Sequence, residues 1–292
     1  MYIVLSIFAM LGYAIQTSLM ASYYRRMNPL AAIMFRGLSL GISMLPLLLF
    51  SKPGSIGNIF HYPLLLIAAA LLASVGNVFS CMAIRKLPVG IAMACQQGML
   101  VISTTLIGFF VFREIIGAFQ VLAIALIILG NSILSLQKGA AKFHIESRTF
   151  VGLCYGMLAG GLLGCAFAFV AKLSREVDPL AAAYFWEITI GVFCLIFLVG
   201  FRKKTGIKKG ESLGKVFLGI LLYSSPTAIG TGCYALGVNI GPIAIVTSII
   251  STMIIAAAVF SYFRYGERLD FRQMGAIAIV VVAIILLKLS EV

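Results

Sequence analysis

The chain consists of long apolar runs bordered by charged residues, and each run is about as long as a bilayer is thick. A transmembrane helix needs about 20 mostly apolar residues. Hydrophobic residues form 62% of the 292 residues, and mean hydropathy is +1.10, values typical of membrane proteins. The borders predict ten spans, at roughly 1 to 24, 29 to 50, 62 to 84, 88 to 112, 117 to 136, 150 to 171, 180 to 201, 216 to 236, 242 to 263 and 273 to 289.

The predicted spans are helices and not strands of a barrel. Barrel strands alternate apolar and polar residues, whereas these runs are continuously apolar. The first span has no basic residue before it and is followed by Arg25 and Arg26, which is the reverse of a secretory signal. The sequence therefore predicts an all-α integral membrane protein that keeps its first span.

A repeated segment divides the chain into two copies of one unit. The sequence Asn-Pro-Leu-Ala-Ala at 28 to 32 recurs as Asp-Pro-Leu-Ala-Ala at 178 to 182, and Glu114 is echoed by Glu267. We expect five spans in each copy, at 1–138 and 149–292. An odd number of spans makes the second copy enter from the opposite face, so the two five-helix repeats are expected to be inverted.

The motifs and their order resemble the EamA-type unit of the drug/metabolite transporter superfamily. The resemblance covers nearly the whole chain and implies a ten-span secondary transporter of the bacterial inner membrane, with a tendency towards export. This chain has Gly12-Tyr13 and Gly164-Cys165 where the family commonly has Trp-Gly. The motifs are Asn28-Pro29-Leu30, Phe35-Arg36, Ala83 to Pro88, Phe112-Arg113-Glu114, Asp178-Pro179-Leu180, Tyr234-Ala235-Leu236 and Gly266 to Leu269.

The orientation in the membrane stays open. Most lysines and arginines follow the odd-numbered spans, so the positive-inside rule places both termini outside. Ten-span members of the family that the chain resembles usually keep both termini in the cytoplasm.

Two charged residues, Arg36 and Glu187, lie inside predicted spans, where a charge costs about 2.5–3.5 kcal/mol. Each lies roughly 10 Å below the start of its span at 1.5 Å per residue, and inversion puts those starts on opposite faces. The two side chains are therefore expected to approach each other near the midplane. They either form a structural ion pair or bind the anionic and cationic groups of a zwitterionic metabolite, and Glu187 alternatively binds a coupling proton.

Uncharged polar residues at interior depth form a second group of candidate substrate ligands. The alternative for each is an ordinary hydrogen bond between helices. Gln96 and Gln97 are adjacent and project about 100° apart, so at least one should face the interior. The candidates are Gln16, Asn77, Gln96, Gln97, Tyr155, Tyr223 and Tyr234, and Thr227 and Thr231 lie at similar depth.

Glycines and prolines predict close packing and kinks. Gly152, Gly156, Gly160 and Gly164 repeat every four residues along one span, a spacing that lets another helix approach closely. Pro46 and Pro226 lie inside spans and are expected to bend them. The fifth and tenth spans carry few or no polar side chains, so we expect them at the periphery, facing lipid.

Several classes of function have no support in the sequence. The net charge of +13 is distributed along span borders, which fits an anionic membrane surface better than nucleic acid. The six cysteines form no CxxC pair, the two histidines have no partner at ligand spacing, and no Walker or GxSxG motif occurs. We expect no enzyme activity, cofactor or metal site.

Three functions stay open. The first is export of small polar metabolites such as amino acids by a monomer or homodimer. The second is proton-coupled multidrug efflux, and the third is a membrane scaffold or receptor that transports nothing.

Overall fold

The fold is described by a computed structural model, which covers residues 1–87, 89–115, 117–135, 147–207, 210–256 and 271–289. Every regular element within these ranges is helical. In chain order the helices are α1 Tyr2–Arg26, α2 Pro29–Ser43, α3 Leu45–Leu48, α4 Ser55–Asn58, a 3-10 turn Ile59–His61, α5 Pro63–Lys86, α6 Val89–Phe110, α7 Ala118–Ser135, α8 Ser147–Glu176, α9 Pro179–Gly200, α10 Leu213–Ile240, α11 Ile243–Ser251 and α12 Phe271–Leu289.

Six of the described helices are long and apolar enough to cross a membrane, namely α1, α5, most of α6, most of α8, α9 and α10. The other four apolar helices, at Pro29–Ser43, Ala118–Ile133, Ile243–Ala256 and Met274–Leu287, are shorter. The structure therefore agrees with an all-helical membrane protein, while the number of ten spans stays a prediction. The whole motif Gly266 to Leu269 lies outside the described residues, as do His144 and Pro88.

The repeated Pro-Leu-Ala-Ala segment starts a helix in each half. Asn28 caps α2 by accepting a hydrogen bond from the Leu30 amide at 3.0 Å. Asp178 caps α9 through the Leu180 amide at 3.0 Å and the Ala181 amide at 2.9 Å. Proline follows each cap at the first helical position, where its missing N–H costs nothing.

The two internal prolines have different effects on their helices. The span predicted at 29 to 50 is interrupted at Met44, because Pro46 has no N–H for the carbonyl four residues earlier. In contrast, α10 continues through Pro226. The carbonyl of Leu222, which loses its usual donor, accepts the Ser225 hydroxyl at 2.9 Å. A neighbouring hydroxyl thus satisfies the backbone without a break.

The helices surround a centre where α2 packs on α9. On either side, α1 packs against α10 and α5 packs against α8, while α6 lies along α8 and α11 lies along α1. Helices α7 and α12 pack on each other outside this group, around Ile127 and Val280. Large apolar side chains such as Leu64, Phe119 and Val199 point outward. The described surface is therefore apolar where a bilayer would surround it.

Three glycines of the ladder on α8, Gly156, Gly160 and Gly164, pack on α6, while Gly152 meets Leu87 at the end of α5. A Cβ on Gly156 would lie 3.1 Å from Cys95 Cβ, and one on Gly164 would lie 2.6 Å from Ser103 Cβ. At Gly160 an added Cβ would overlap the Gln96 carbonyl oxygen. The backbones of α6 and α8 are close only because side chains are missing here.

Replacing Gly160 with alanine is expected to destabilise the protein, because overpacking against a backbone carbonyl costs about 1–3 kcal/mol. The neighbouring Gly161 provides a matched control, since a Cβ there would meet nothing closer than 3.9 Å. Thermal unfolding in detergent should show a lower Tm for Gly160→Ala and an unchanged Tm for Gly161→Ala. Equal Tm values for the two variants would contradict this packing.

Candidate substrate-binding site

The contact between α2 and α9 is close because glycines meet at the crossing. A Cβ on Gly37 would lie 2.5 Å from the Gly191 amide nitrogen, and a Cβ on Gly191 would lie 2.8 Å from the Leu38 amide nitrogen. Arg36 directly precedes Gly37, and Glu187 lies one helical turn before Gly191. The crossing therefore brings the two internal charges to the same place.

Arg36 and Glu187 form an ion pair inside a chain of polar contacts. Arg36 Nη2 lies 3.0 Å from Glu187 Oε1. The same carboxylate oxygen accepts the Thr231 hydroxyl of α10 at 2.9 Å, and Thr231 accepts the Tyr13 hydroxyl of α1 at 3.2 Å. Four helices, α1, α2, α9 and α10, are thereby joined through one carboxylate oxygen.

Three of the five nitrogen and oxygen atoms in the two charged groups of the ion pair make no hydrogen bond to the described residues. Arg36 Nε and Nη1 and Glu187 Oε2 are buried and have no hydrogen-bond partner among the described residues. Arg36 is 6% exposed and Glu187 1% exposed. Buried polar groups without partners are costly, and charged ones most of all. The pair therefore carries unsatisfied polar atoms, which a purely structural ion pair would be expected to satisfy.

A cavity of about 80 Å³ adjoins the ion pair. Its described lining mixes polar groups with aromatic and aliphatic side chains, as small-molecule sites do. The polar and aromatic lining consists of Tyr13, Gln16, Thr17, Tyr24, Arg36, Asn77, Ser80, Gln96, Gln97, Phe167, Trp186 and Glu187, and the remaining lining consists of Ile33, Cys81, Ile84, Met93, Leu100, Leu163, Ile190, Ile250 and Met253.

Six of the nine candidate residues line this cavity: Arg36, Glu187, Gln16, Asn77, Gln96 and Gln97. The three candidate tyrosines lie elsewhere. Tyr155 stacks on Phe79 at 5.6 Å, and Tyr223 is 38% exposed on the outside of α10. Tyr234 is fully buried and donates to the Phe167 carbonyl at 2.6 Å. The structure therefore places these three residues outside the cavity lining, and their ligand roles stay predictions.

Several residues that line the cavity were not among the sequence candidates. Tyr13, Thr17 and Tyr24 recur on one face of α1 together with Gln16, which donates to the Tyr24 hydroxyl at 2.7 Å. Their helical spacing is a signal that could have identified them. Trp186 also lines the cavity, and it occupies the position in the second repeat that matches Arg36 in the first.

Comparison with known proteins identifies the family. The model of the EamA-like transporter family matches residues 1–136 and again residues 150–289. The chain belongs to the EamA-like transporter family. This result confirms the resemblance seen in the sequence and, with the apolar helices, indicates a multi-pass membrane transporter. No curated protein matches the chain significantly in sequence.

A solved structure, described only as the crystal structure of a protein, has the same fold. It superposes with a TM-score of 0.74 over 99% of this chain and 96% of the other, at 13% sequence identity. Identity this low supports the fold alone. What this transporter carries has to be argued from its own cavity.

The departure of this transporter from the usual Trp-Gly pair affects the site directly. Gly12 packs on α10, where an added Cβ would lie 2.6 Å from the Pro226 carbonyl oxygen. Tyr13 lines the cavity, and its hydroxyl reaches Thr231. The glycine lets α1 approach α10, and the tyrosine adds a polar group beside the ion pair.

Removing one partner of the ion pair should destabilise the transporter more than removing both. We expect Glu187→Gln to cost about 3–5 kcal/mol, because the charge of Arg36 is then buried without a counter-ion. Arg36→Met should cost less, since a carboxyl group can accept a proton and become neutral, whereas a guanidinium remains charged.

A double-mutant cycle in detergent measures this coupling. The unfolding transition of Arg36→Met/Glu187→Met should be less destabilised than the sum of the two single changes to methionine. Additive losses of stability would mean that the two side chains do not interact.

Proposed function

We propose that the protein is a secondary transporter that exports small zwitterionic metabolites such as amino acids. One observation carries this proposal: a cation and an anion, both with unused hydrogen-bonding atoms, border the same buried cavity. Arg36 Nε and Nη1 each offer a donor to a carboxylate, and a hydrogen bond from a charged donor to a carboxylate is stronger than a neutral one. Glu187 Oε2 offers an acceptor to an ammonium group.

The balance of charge supports a zwitterion over an anion or a cation. Arg36 and Glu187 are the charged residues among the described lining, and together they are neutral. A ligand with one net charge would add an unpaired charge to a buried site, which is costly. A zwitterion keeps the site neutral while satisfying the free atoms of both side chains.

The size of the cavity favours a metabolite over a drug-sized molecule. The cavity has a volume of about 80 Å³. Drug-sized ligands commonly occupy pockets of about 300–1,000 Å³. This size supports amino-acid-like substrates over multidrug efflux.

We infer that the fold comprises ten spans in two inverted five-helix halves. The pairing of helices supports this reading. In this reading α1, α2, α5, α6 and α7 of the first half correspond in order to α8, α9, α10, α11 and α12 of the second. The contact of α5 with α8 then matches that of α1 with α10. Likewise, the contact of α6 with α8 matches that of α1 with α11. The pairs α2 with α9 and α7 with α12 map onto themselves, as helices beside a two-fold axis do.

A crevice at one end of the helices supports alternating access. At the opposite end Arg175 donates to the Val238 carbonyl at 2.8 Å and to Glu114 at 2.8 Å, while Glu114 accepts the Ile243 amide at 3.0 Å. These bonds tie α8, α10 and α11 together. At the other end a crevice lies between Arg25 and the residues 84 to 87, and Ile84 also lines the cavity.

Direction, location and coupling belong to the same proposal. Export and the bacterial inner membrane follow from the tendency of the family. A coupling proton would bind at Glu187 Oε2, which is the free oxygen of the buried carboxylate. Substrate ammonium and proton would then compete for one oxygen, which is a simple way to couple their movements.

The proposal is tested in proteoliposomes that are loaded with an unlabelled neutral amino acid and diluted into buffer containing the radiolabelled one. Counterflow should be inhibited by free amino acids but not by their N-acetyl or methyl-ester derivatives, since each derivative lacks one of the two charges. Glu187→Gln and Arg36→Ala should abolish flux. Imposing a pH gradient in the same vesicles reports whether proton movement drives transport.

Tyr223→Phe is the matched control, because this tyrosine lies on the exposed side of α10 and outside the cavity lining. Its flux should equal that of the unchanged protein. Equal inhibition by free and N-acetylated amino acids, or normal flux in Glu187→Gln, would refute the proposed roles of the two charges.

A further inference from the structure

A cluster of amide side chains forms a second polar group in the cavity, distinct from the ion pair. Asn77 and Ser80 come from α5, and Gln96 and Gln97 come from α6. Ser80 Oγ donates to Gln96 Oε1 at 2.5 Å, which fixes the two helices relative to each other. Asn77 lies one turn before Ser80 and also lines the cavity.

The hydrogen bonds within this amide cluster determine which atoms are left for a ligand. Asn77 Nδ2 donates to the Ala73 carbonyl at 2.8 Å, so its oxygen is free. Gln97 Nε2 points to the Met253 sulfur at 3.6 Å, and Gln97 Oε1 is buried with no partner among the described residues. A sulfur and a carbonyl only accept hydrogen bonds, so they orient both amides.

In Gln96 the amide nitrogen is free, whereas in Asn77 and Gln97 the free atom is the oxygen. Its oxygen accepts the Ser80 hydroxyl, and its amide nitrogen has no hydrogen bond within the described part of the chain. The amide cluster therefore offers two acceptors, Asn77 Oδ1 and Gln97 Oε1, and one donor, Gln96 Nε2. A primary carboxamide presents two N–H donors and one carbonyl acceptor, which is the complementary set.

Charge excludes the other polar side chains of similar size. The amide cluster contains no ionisable group, and the two charges of the described lining, Arg36 and Glu187, are matched by the substrate backbone in the proposed function. A carboxylate or ammonium on the substrate side chain would be buried without a counter-ion. An aliphatic side chain would leave the amides unpaired, and sites built for hydrogen bonding reject such analogues strongly.

We propose that the amide cluster binds the side chain of the substrate and selects neutral amino acids whose side chain carries a carboxamide. This inference rests on the proposed function, in which Arg36 and Glu187 bind the carboxylate and the ammonium group. Asn77, Gln96 and Gln97 determine specificity, and Gln97 contributes most because its oxygen is fully buried and has no other partner.

Competition counterflow in proteoliposomes tests the inference with side chains of matched length. In the unchanged protein, asparagine and glutamine should inhibit uptake of a labelled neutral amino acid better than leucine and methionine do, by about tenfold. Aspartate, glutamate and lysine should inhibit less than either pair. In Gln97→Met the advantage of glutamine over methionine should disappear while methionine transport persists.

A charge variant separates recognition from a merely structural role. Gln97→Glu adds an anion to the amide cluster, so it should increase inhibition by lysine and reduce inhibition by glutamate. Thr105→Val is the matched control, because Thr105 lies on the same helix with a buried hydroxyl and does not line the cavity. Its substrate preferences should equal those of the unchanged protein.

The outcomes show whether this inference fails alone or together with the proposed function on which it rests. Suppose that amino acids are transported but glutamine and methionine inhibit equally, or that lysine inhibits Gln97→Glu no better than the unchanged protein. The amide cluster then does not select the substrate, and only this inference fails. If no amino acid moves in any variant, the proposed function fails together with it.

Discussion

The crossing of α2 and α9 at Gly37 and Gly191 is the contact on which the centre of the structure depends. Neither position tolerates a Cβ, because each would approach the backbone of the other helix to below 3 Å. Only this close approach brings the adjacent Arg36 within 3.0 Å of Glu187. Thr231 and Tyr13 extend the ion pair to α10 and α1. A larger crossing distance would leave two unpaired charges inside the bilayer, so packing and electrostatics constrain each other here.

The ion pair is poorly explained as a stabilising element alone. Buried ion pairs are often no more stabilising than apolar packing, because both charges must be desolvated. Here the cost is higher, since Arg36 Nε and Nη1 and Glu187 Oε2 have no partner among the described residues. Both side chains also border a cavity. A structural pair would be expected to satisfy its atoms, whereas a binding site must leave some of them unsatisfied until a ligand arrives.

The sequence predicted how far residues lie along their spans better than it predicted the direction in which their side chains point. Counting residues from the repeated prolines placed Arg36 and Glu187 near the midplane. This similar depth is the main condition for their pairing. Tyr155, Tyr223 and Tyr234 also lie at interior depth, yet they face away from the cavity because helix rotation decides the direction of a side chain. The interruption after Ser43 followed from Pro46, but the continuity of α10 depended on the Ser225 hydroxyl, which position alone does not reveal. The ligand roles of the cavity residues stay predictions.

The asymmetry between the two halves determines what the cavity can bind. If both copies had kept arginine at the position of Arg36, two cations would lie near the contact of α2 with α9 and would require an anionic ligand. The second copy instead has Trp186 there, followed by Glu187, at the position of Gly37 in the first copy. Gly37 leaves room for the crossing, while Glu187 supplies the counter-charge. The two family repeats thus bring one cation and one anion together, and in the proposed function a zwitterion with a neutral side chain would complement this pair and the amides of α5 and α6.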